Sequence, residues 1–351
     1  MLVIETTLDD DQCMKPLQQV CVLAFILVAA FFSPAATAQD GIPENFTQPE
    51  GWQWGRFTNA ENAAIRFGYL QADNPRAVAV IVTGFREFGE KYFEVVRDLH
   101  ERDFDVWQMD WRGQGGSDHY LPDTQKVWYQ GYDRDANDLH KFATEIVIPR
   151  DGAPMFVVAH SMGGHIALRH LHTYPETFSF AVITAPMLGI HTGGVPKWLA
   201  NLLAWGGSIV KAEAHTIGSS AWKYDADFAV EDSFKSTDSV RYRVQQDYEQ
   251  LKPALRLGGA TYGWFRNASR EMAELNKKNY LLGIEHPILM TSSGNDQIVL
   301  SDKVDRACSL MKACELYPIA NAKHEIWMEH DDFRDPWWMR VDAFVEQQLN
   351  R

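Results

Sequence analysis

The sequence predicts an α/β fold: a mostly parallel sheet flanked by helices, with a helical cap inserted late in the chain. Three observations carry this. Short, wholly apolar runs alternate with helix-like stretches, as in Ala77–Val82, Met155–Ala159 and Phe180–Thr184. Such runs suit strands covered on both faces, which is the condition of a parallel sheet. The residues with chemical potential, Gly84, Asp110, Ser161 and Asp296, all fall just after predicted strands, where ligands bind in such folds. Finally, the alternation breaks between Met187 and Leu282, where an aromatic-rich segment takes its place.

Taken in order, the predicted strands are Ala64–Leu70, Ala77–Val82, Asp105–Met109, Met155–Ala159, Phe180–Thr184, Ile288–Ser292 and Glu315–Pro318. The predicted helices are Lys91–Arg102, Tyr132–Val147, Gly163–Thr173, Asp302–Met311 and Pro336–Gln348. The core then comprises 39–186 and 283–351, and the cap 187–282. Within the cap, Val195, Trp198, Leu199, Leu202, Leu203 and Trp205 are spaced as one apolar face of a helix.

Residues 1–38 read as a leader. Val20 to Phe32 is an unbroken apolar run, preceded by Lys15 and followed by Ala36-Thr37-Ala38, a signal-peptidase pattern. The acidic stretch Glu5 to Asp11 does not suit the start of a signal peptide, whereas Met14-Lys15 does, so the start is expected at Met14. The run is shorter than the roughly 20 residues that span a bilayer, which disfavours an uncleaved anchor. An exported protein, periplasmic or secreted, is expected. Outside the leader only Cys308 and Cys314 remain; they are placed to close a small loop in an oxidising compartment, the alternative being two separately buried thiols.

The segment Met155-Phe156-Val157-Val158-Ala159-His160-Ser161-Met162-Gly163-Gly164 takes an apolar strand through a small-residue turn into a helix. That geometry lifts the Ser161 hydroxyl to the start of a helix, where backbone N–H groups can hold an oxyanion. A serine hydroxyl is a weak nucleophile and needs a base, a histidine oriented by a buried carboxylate. Asp296, in the loop after Ile288–Ser292, and His324, in the loop after Glu315–Pro318, supply them in that order. The neighbouring His160 and His165 read as structural, and His170 and His172 as facing solvent or a helix end. No metal-ligand spacing occurs, so neither metal nor cofactor is expected. The formal net charge of −14 argues against nucleic acid as partner.

The order Ser, Asp, His together with the elbow resembles the α/β-hydrolase superfamily, and within it the monoacylglycerol lipase and lysophospholipase L2 group. Two more segments carry the resemblance: Val80–Tyr92 is similar to that group's oxyanion loop, and Asp110-Trp111-Arg112-Gly113-Gln114-Gly115-Gly116-Ser117-Asp118 to its D-x-R-G-x-G-x-S-D loop. Departures are Ala159 in place of the first elbow glycine, and Thr83 and Phe85 where monoacylglycerol lipases carry His and a small residue. The resemblance implies an oxyanion hole from the N–H groups of Phe85 and Met162. The Arg112–Asp118 loop is expected to be structural, a turn fixed by an Arg–Asp pair. The expected function is serine-dependent hydrolysis of carboxylic esters of single-chain lipids, with the tryptophans Trp198, Trp205 and Trp264 forming an apolar wall beside Ser161. The cap is the expected site of transient membrane contact. Competing readings are a small-ester esterase, a peptidase or a thioesterase. A non-catalytic binding protein is disfavoured, since all three triad positions are occupied.

Overall fold

A computed structural model describes residues 41–128, 131–224 and 233–351. The expected leader lies outside these residues. Eight strands form one sheet: β1 Gln53–Thr58, β2 Ala64–Leu70, β3 Ala77–Val82, β4 Phe104–Met109, β5 Met155–His160, β6 Phe180–Thr184, β7 Ile288–Ser293 and β8 Cys314–Ile319. Their order is β1-β2-β4-β3-β5-β6-β7-β8. β1 and β2 are antiparallel to each other and β2 to β4; every other neighbour is parallel. Every residue of β3, β4, β5, β6 and β7 is buried, as the apolar runs require.

Alternate residues serve opposite faces of the sheet. Val78, Val80 and Val82 pack in one core with Val157, Ile166 and Leu139, while Ala77, Ala79 and Ile81 pack in the other with Val96, Leu99 and Val341. The first face is covered by α2 (Asp133–Lys141), α3 (Met162–Thr173) and α8 (Ser301–Leu310), and the second by α1 (Phe93–His100) and α9 (Asp331–Leu349). Between β6 and β7 come α4 (Lys197–Lys211), α5 (Ser239–Leu251), α6 (Tyr262–Leu275) and α7 (Lys278–Leu282).

Three elements differ from the sequence reading. β1 is an additional strand: a short edge strand with Gly55 in it, whose missing side chain leaves room for the Phe67 ring, has little apolar alternation to announce it. The helix expected at Pro336 begins at Asp331, capped by the His330 side chain, so Pro336 lies inside it rather than at its first turn. The helix expected over Tyr132–Val147 starts at Asp133 and passes at Phe142–Ile146 into a wider turn.

The chain leaves β3 toward β4 on one side and returns to β5 on the other, so strand order reverses at β3. Loops leaving β3 and β5 therefore diverge and open a crevice at their C-terminal ends. Both loops carry the residues described next.

Candidate active site

Ser161 links β5 to α3 with φ 53° and ψ −116°, a left-handed conformation that a non-glycine residue adopts only under constraint. The constraint is local. Its N–H donates to the Thr184 carbonyl (3.1 Å), and its carbonyl accepts from His165 N (3.1 Å) and Met187 N (2.9 Å). Small residues are required because α3 crosses closely: a Cβ on Gly163 would lie 2.5 Å from the Val82 carbonyl oxygen.

The His324 imidazole reaches both expected partners. Its Nε2 lies 3.0 Å from Ser161 Oγ and its Nδ1 2.7 Å from Asp296 Oδ2. A carboxylate can only accept, so Nδ1 carries the hydrogen and Nε2 is left to accept the serine proton. The other carboxylate oxygen, Oδ1, accepts the N–H groups of Ile298 and Val299 at 2.8 Å each. Burial pushes the Asp296 pKa up, but the His324 charge, its hydrogen bond and these two N–H groups outweigh it and hold the carboxyl below its ordinary value.

The loop after β3 lies against the serine: a Cβ on Gly84 would stand 3.1 Å from Ser161 Cβ. Its backbone is pinned on all sides. The Thr83 carbonyl accepts from Trp111 Nε1 (2.7 Å), the Gly84 carbonyl from Gln114 Nε2 (2.9 Å), and Arg86 N donates to Gln114 Oε1 (3.0 Å). The Gly84 N–H donates to Glu87 Oε2. Met162, as the first residue of α3, has an N–H with no partner within its helix. The Phe85 ring stacks on Trp264 at 4.1 Å between centroids.

Below this loop lies a group of charges that sequence reasoning missed. Lys91 is 1% exposed and its ammonium bridges Glu87 (2.8 Å) and Glu325 (2.9 Å), while Lys235 approaches Glu325 at 3.3 Å. Burial opposes the charged form of all these groups. Mutual attraction outweighs it at both carboxyls, held below their usual values, and at the Lys91 ammonium, held above its own, whereas burial prevails at Lys235 and lowers it. The network ties the loop carrying Phe85 to the loop carrying His324. The one hint in the sequence was a Glu–Lys pair four residues apart within the Val80–Tyr92 segment, and a Glu directly after His324.

The D-x-R-G-x-G-x-S-D loop is structural, but not through the expected pair. Arg112 pairs with Glu61, at 2.5 Å, and Asp118 accepts the Ala64 N–H. Its centre is buried Asp110, which meets Arg66 at 2.6 Å and accepts from Gly89 N and Gly116 N. Gly115, at φ 55°, is obligatory, since a Cβ there would fall 2.3 Å from Asp110 Oδ2.

The remaining histidines are buried more often than expected. His160 bonds Thr184 Oγ1 and His165 the Met187 carbonyl, and burial pushes their pKa values down to about 4 and about 3. His170 does not face solvent; it is fully buried beside Phe178 and His140, and burial lowers it to about 3. His172 is exposed and stacks on Tyr280. Of the three wall tryptophans, Trp264 is 4% exposed, whereas Trp198 and Trp205 on α4 are 69% and 52% exposed. Trp264 therefore packs next to the site loop, and the other two present their rings to the outside. Cys308 and Cys314 form a disulfide, with Cα atoms 5.2 Å apart. Among the described residues no group of three or more His, Cys, Asp or Glu is placed to hold a metal.

Sheet, elbow and His–Asp pair together define an α/β hydrolase. Comparison with known proteins narrows the class: the Hydrolase_4 family, described as serine aminopeptidase S33, matches residues 73–331, and the chain belongs to that family. Lysophospholipase L2 of Escherichia coli K12 is 30% identical over 79% of this chain and 83% of its own length. A putative monoglyceride lipase of Schizosaccharomyces pombe is 26% identical over 74% of this chain and 62% of its own length. Among solved structures, a soluble variant of Saccharomyces cerevisiae monoglyceride lipase in complex with a substrate analog superposes with a TM-score of 0.66 at 17% identity, covering 90% of this chain and 99% of that one. A thermostable carboxyl esterase of Bacillus coagulans gives 0.67 at 16% identity, over 86% of this chain and all of the other. These likenesses share the fold. The protein is a hydrolase whose sequence is similar to lysophospholipase L2 and to a monoglyceride lipase.

Proposed function

We propose that the protein hydrolyses the carboxylic ester of single-chain lipids, lysophospholipid ahead of monoacylglycerol, through an acyl-enzyme on Ser161. The single observation that carries this reading is the His324 ring lying between Ser161 Oγ and Asp296. Ser161 Oγ attacks the ester carbonyl while His324 Nε2 takes its proton. The negative charge that develops on the carbonyl oxygen is met by the N–H groups of Phe85 and Met162. Collapse expels the alcohol, which takes the proton from His324, and leaves the acyl group on Ser161. Water, deprotonated by the same histidine, then releases the fatty acid and restores the serine.

The substrate class rests on the names of the relatives and on Trp264 against Phe85, an apolar surface suited to an acyl chain. Helix α4 supports delivery from a lipid surface: Trp198, Leu202, Trp205 and Ile209, one face by spacing, are all exposed, with Lys197 and Lys211 at its ends. The apolar run of the leader, together with the disulfide, favours export to an oxidising compartment. The mature chain is then expected to begin at Gln39 on N-terminal sequencing of the exported protein.

Ser161→Ala should fold normally, lose turnover by about 10³–10⁶-fold, and fail to take a fluorophosphonate label. Labelling at the wild-type rate would sink the assignment. Each acyl methylene buried contributes about 0.8 kcal/mol, so kcat/KM should climb several-fold per two-carbon extension. A flat profile from short to medium chains would favour a small-ester esterase instead.

A further inference from the structure

Next to the oxyanion loop stands a cation that forms no ion pair among the described residues. Arg86 follows Phe85 and is held at φ 66°. Its carbonyl accepts from Gln245 Nε2 (2.8 Å), and its Nε–H donates to the Leu257 carbonyl (2.9 Å). Arg66 and Arg334, by contrast, each meet two carboxylates: Arg66 meets Glu90 and Asp110, and Arg334 meets Glu94 and Asp98. Among the described residues Arg86 forms no such pair. Glu249, the acid whose charge acts on Arg86, directs its oxygens to Trp222 Nε1 (2.6 Å) and Gln245 Nε2 (3.2 Å). Burial raises the Glu249 pKa, against the charges of Arg86 and Lys235, which lower it.

Arg86 lines a cavity of about 290 Å³ that also takes in Ser219, Ser220, Trp222 and Lys223. The Arg256 guanidinium lies 4.1 Å over the Trp222 ring. Arg86 and Lys223 thus line one cavity, with Arg256 stacked on the Trp222 ring at its wall, in a chain whose net charge is −14. Such a cavity selects an anion. A guanidinium that has been desolvated without a carboxylate recovers its lost hydration by charge-assisted, paired hydrogen bonds, for which phosphate oxygens are suited.

Position decides which anion. Gly84 touches Ser161, and Arg86 is two residues on, so its Cα lies within about 7.6 Å of that of Gly84. In a lysophospholipid the ester carbonyl and the phosphate are separated by the glycerol carbons and an oxygen at each end, a comparable span. We propose that Arg86 and Lys223 form a subsite for the phosphodiester headgroup of a lysophospholipid whose ester carbon sits at Ser161. This rests on the ester-hydrolase reading above and adds to it the basis for preferring lysophospholipid: a monoacylglycerol would leave Arg86 unpaired.

A binding measurement tests the subsite without any turnover. Calorimetric titration of the Ser161→Ala protein with glycerophosphocholine should show binding roughly tenfold or more tighter than glycerol, the worth of one or two hydrogen bonds to a charged group. Adding Arg86→Gln should remove that gain, and Arg86→Lys should keep part of it. If Arg86→Gln does not fold, Lys223→Gln, at the exposed rim, should weaken binding by a smaller factor. Glycerophosphocholine binding no tighter than glycerol, or binding indifferent to both substitutions, would overturn the subsite even if the protein hydrolyses esters. Inorganic phosphate bound as tightly as glycerophosphocholine would overturn the headgroup assignment. In turnover, Arg86→Gln should lower the ratio of kcat/KM for lysophosphatidylcholine to that for monoacylglycerol of the same chain by roughly tenfold. An equal loss on both substrates would mark a structural role and overturn the proposal.

Discussion

Lys91 and Trp198 each sit where the other's side-chain type usually belongs. The ammonium is 1% exposed beneath the catalytic loops, and the indole is 69% exposed on α4. Both inversions have a cause. Lys91 is buried because two separate segments bring it partners, Glu87 from its own loop and Glu325 from the loop after β8, while Lys235 from the insertion adds a second cation to Glu325. Trp198 is exposed because no element among the described residues covers its face of α4. One region is closed by the chain itself, and the other is bare among the described residues.

The comparison can be broken most severely at Lys91. Lys91→Met leaves Glu87 and Glu325 buried without their shared cation and should cost about 3–5 kcal/mol in urea unfolding. kcat should fall as well, because Glu87 holds the Gly84 N–H beside Ser161. The triple variant Lys91→Met, Glu87→Gln, Glu325→Gln should recover much of the stability. A loss under about 1 kcal/mol in the single variant would mean the charges are not closed off as described.

Acid should open the buried region next. His160, His165 and His170 are pushed down, mainly by burial, to about 4, 3 and 3. The native state therefore binds fewer protons than the unfolded chain, whose histidines titrate near 6.5. Their contribution is complete above that pH and is lost as pH falls toward about 4. Stability should decline by up to about 4 kcal/mol per pH unit in that window. Urea midpoints at a series of pH values between neutrality and pH 4 would measure it; a flat series would refute the buried-neutral assignment.

A smaller effect is expected at the disulfide. Replacing Cys308 and Cys314 by serine removes closure of a short loop and should cost about 2 kcal/mol, with activity retained. Smallest of all are changes on α4. Trp198→Ser, Leu202→Ser and Trp205→Ser should each alter stability by about 0.5 kcal/mol or less, while lowering co-sedimentation with phospholipid vesicles. Destabilisation by several times that amount would show the face to be packed in solution, and the contrast with Lys91 would go.

Legibility in the sequence followed the range of the interactions. The central strands were readable because burial on both faces demands unbroken apolar runs, visible in ten residues or fewer. Edge strand β1 was not, since half its environment is solvent and Gly55 answers to a ring on the neighbouring strand. The start of α9 was misplaced because proline is a helix-start signal, while the operative cap is His330. Ser161, Asp296 and His324 could be chosen from sequence because each follows a strand in the required order. Glu87, Lys91 and Glu325 could not, for charge in a sequence reads as solvent exposure until its partners are known.

By itself the sequence determined the sheet, the elbow and the identity of the three residues that meet at the site, because each depends on local pattern: apolar runs, small residues at a crossing, and order along the chain. Only the tertiary structure decided which charges are buried and which apolar face is open. Lys91 lies hundreds of residues before Glu325, and Arg86 is marked by forming no ion pair among the described residues rather than by any residue beside it in sequence. Pairing, covering and leaving bare are properties of what the folded chain brings near, and electrostatic and hydrophobic energies depend on that distance, not on separation in sequence.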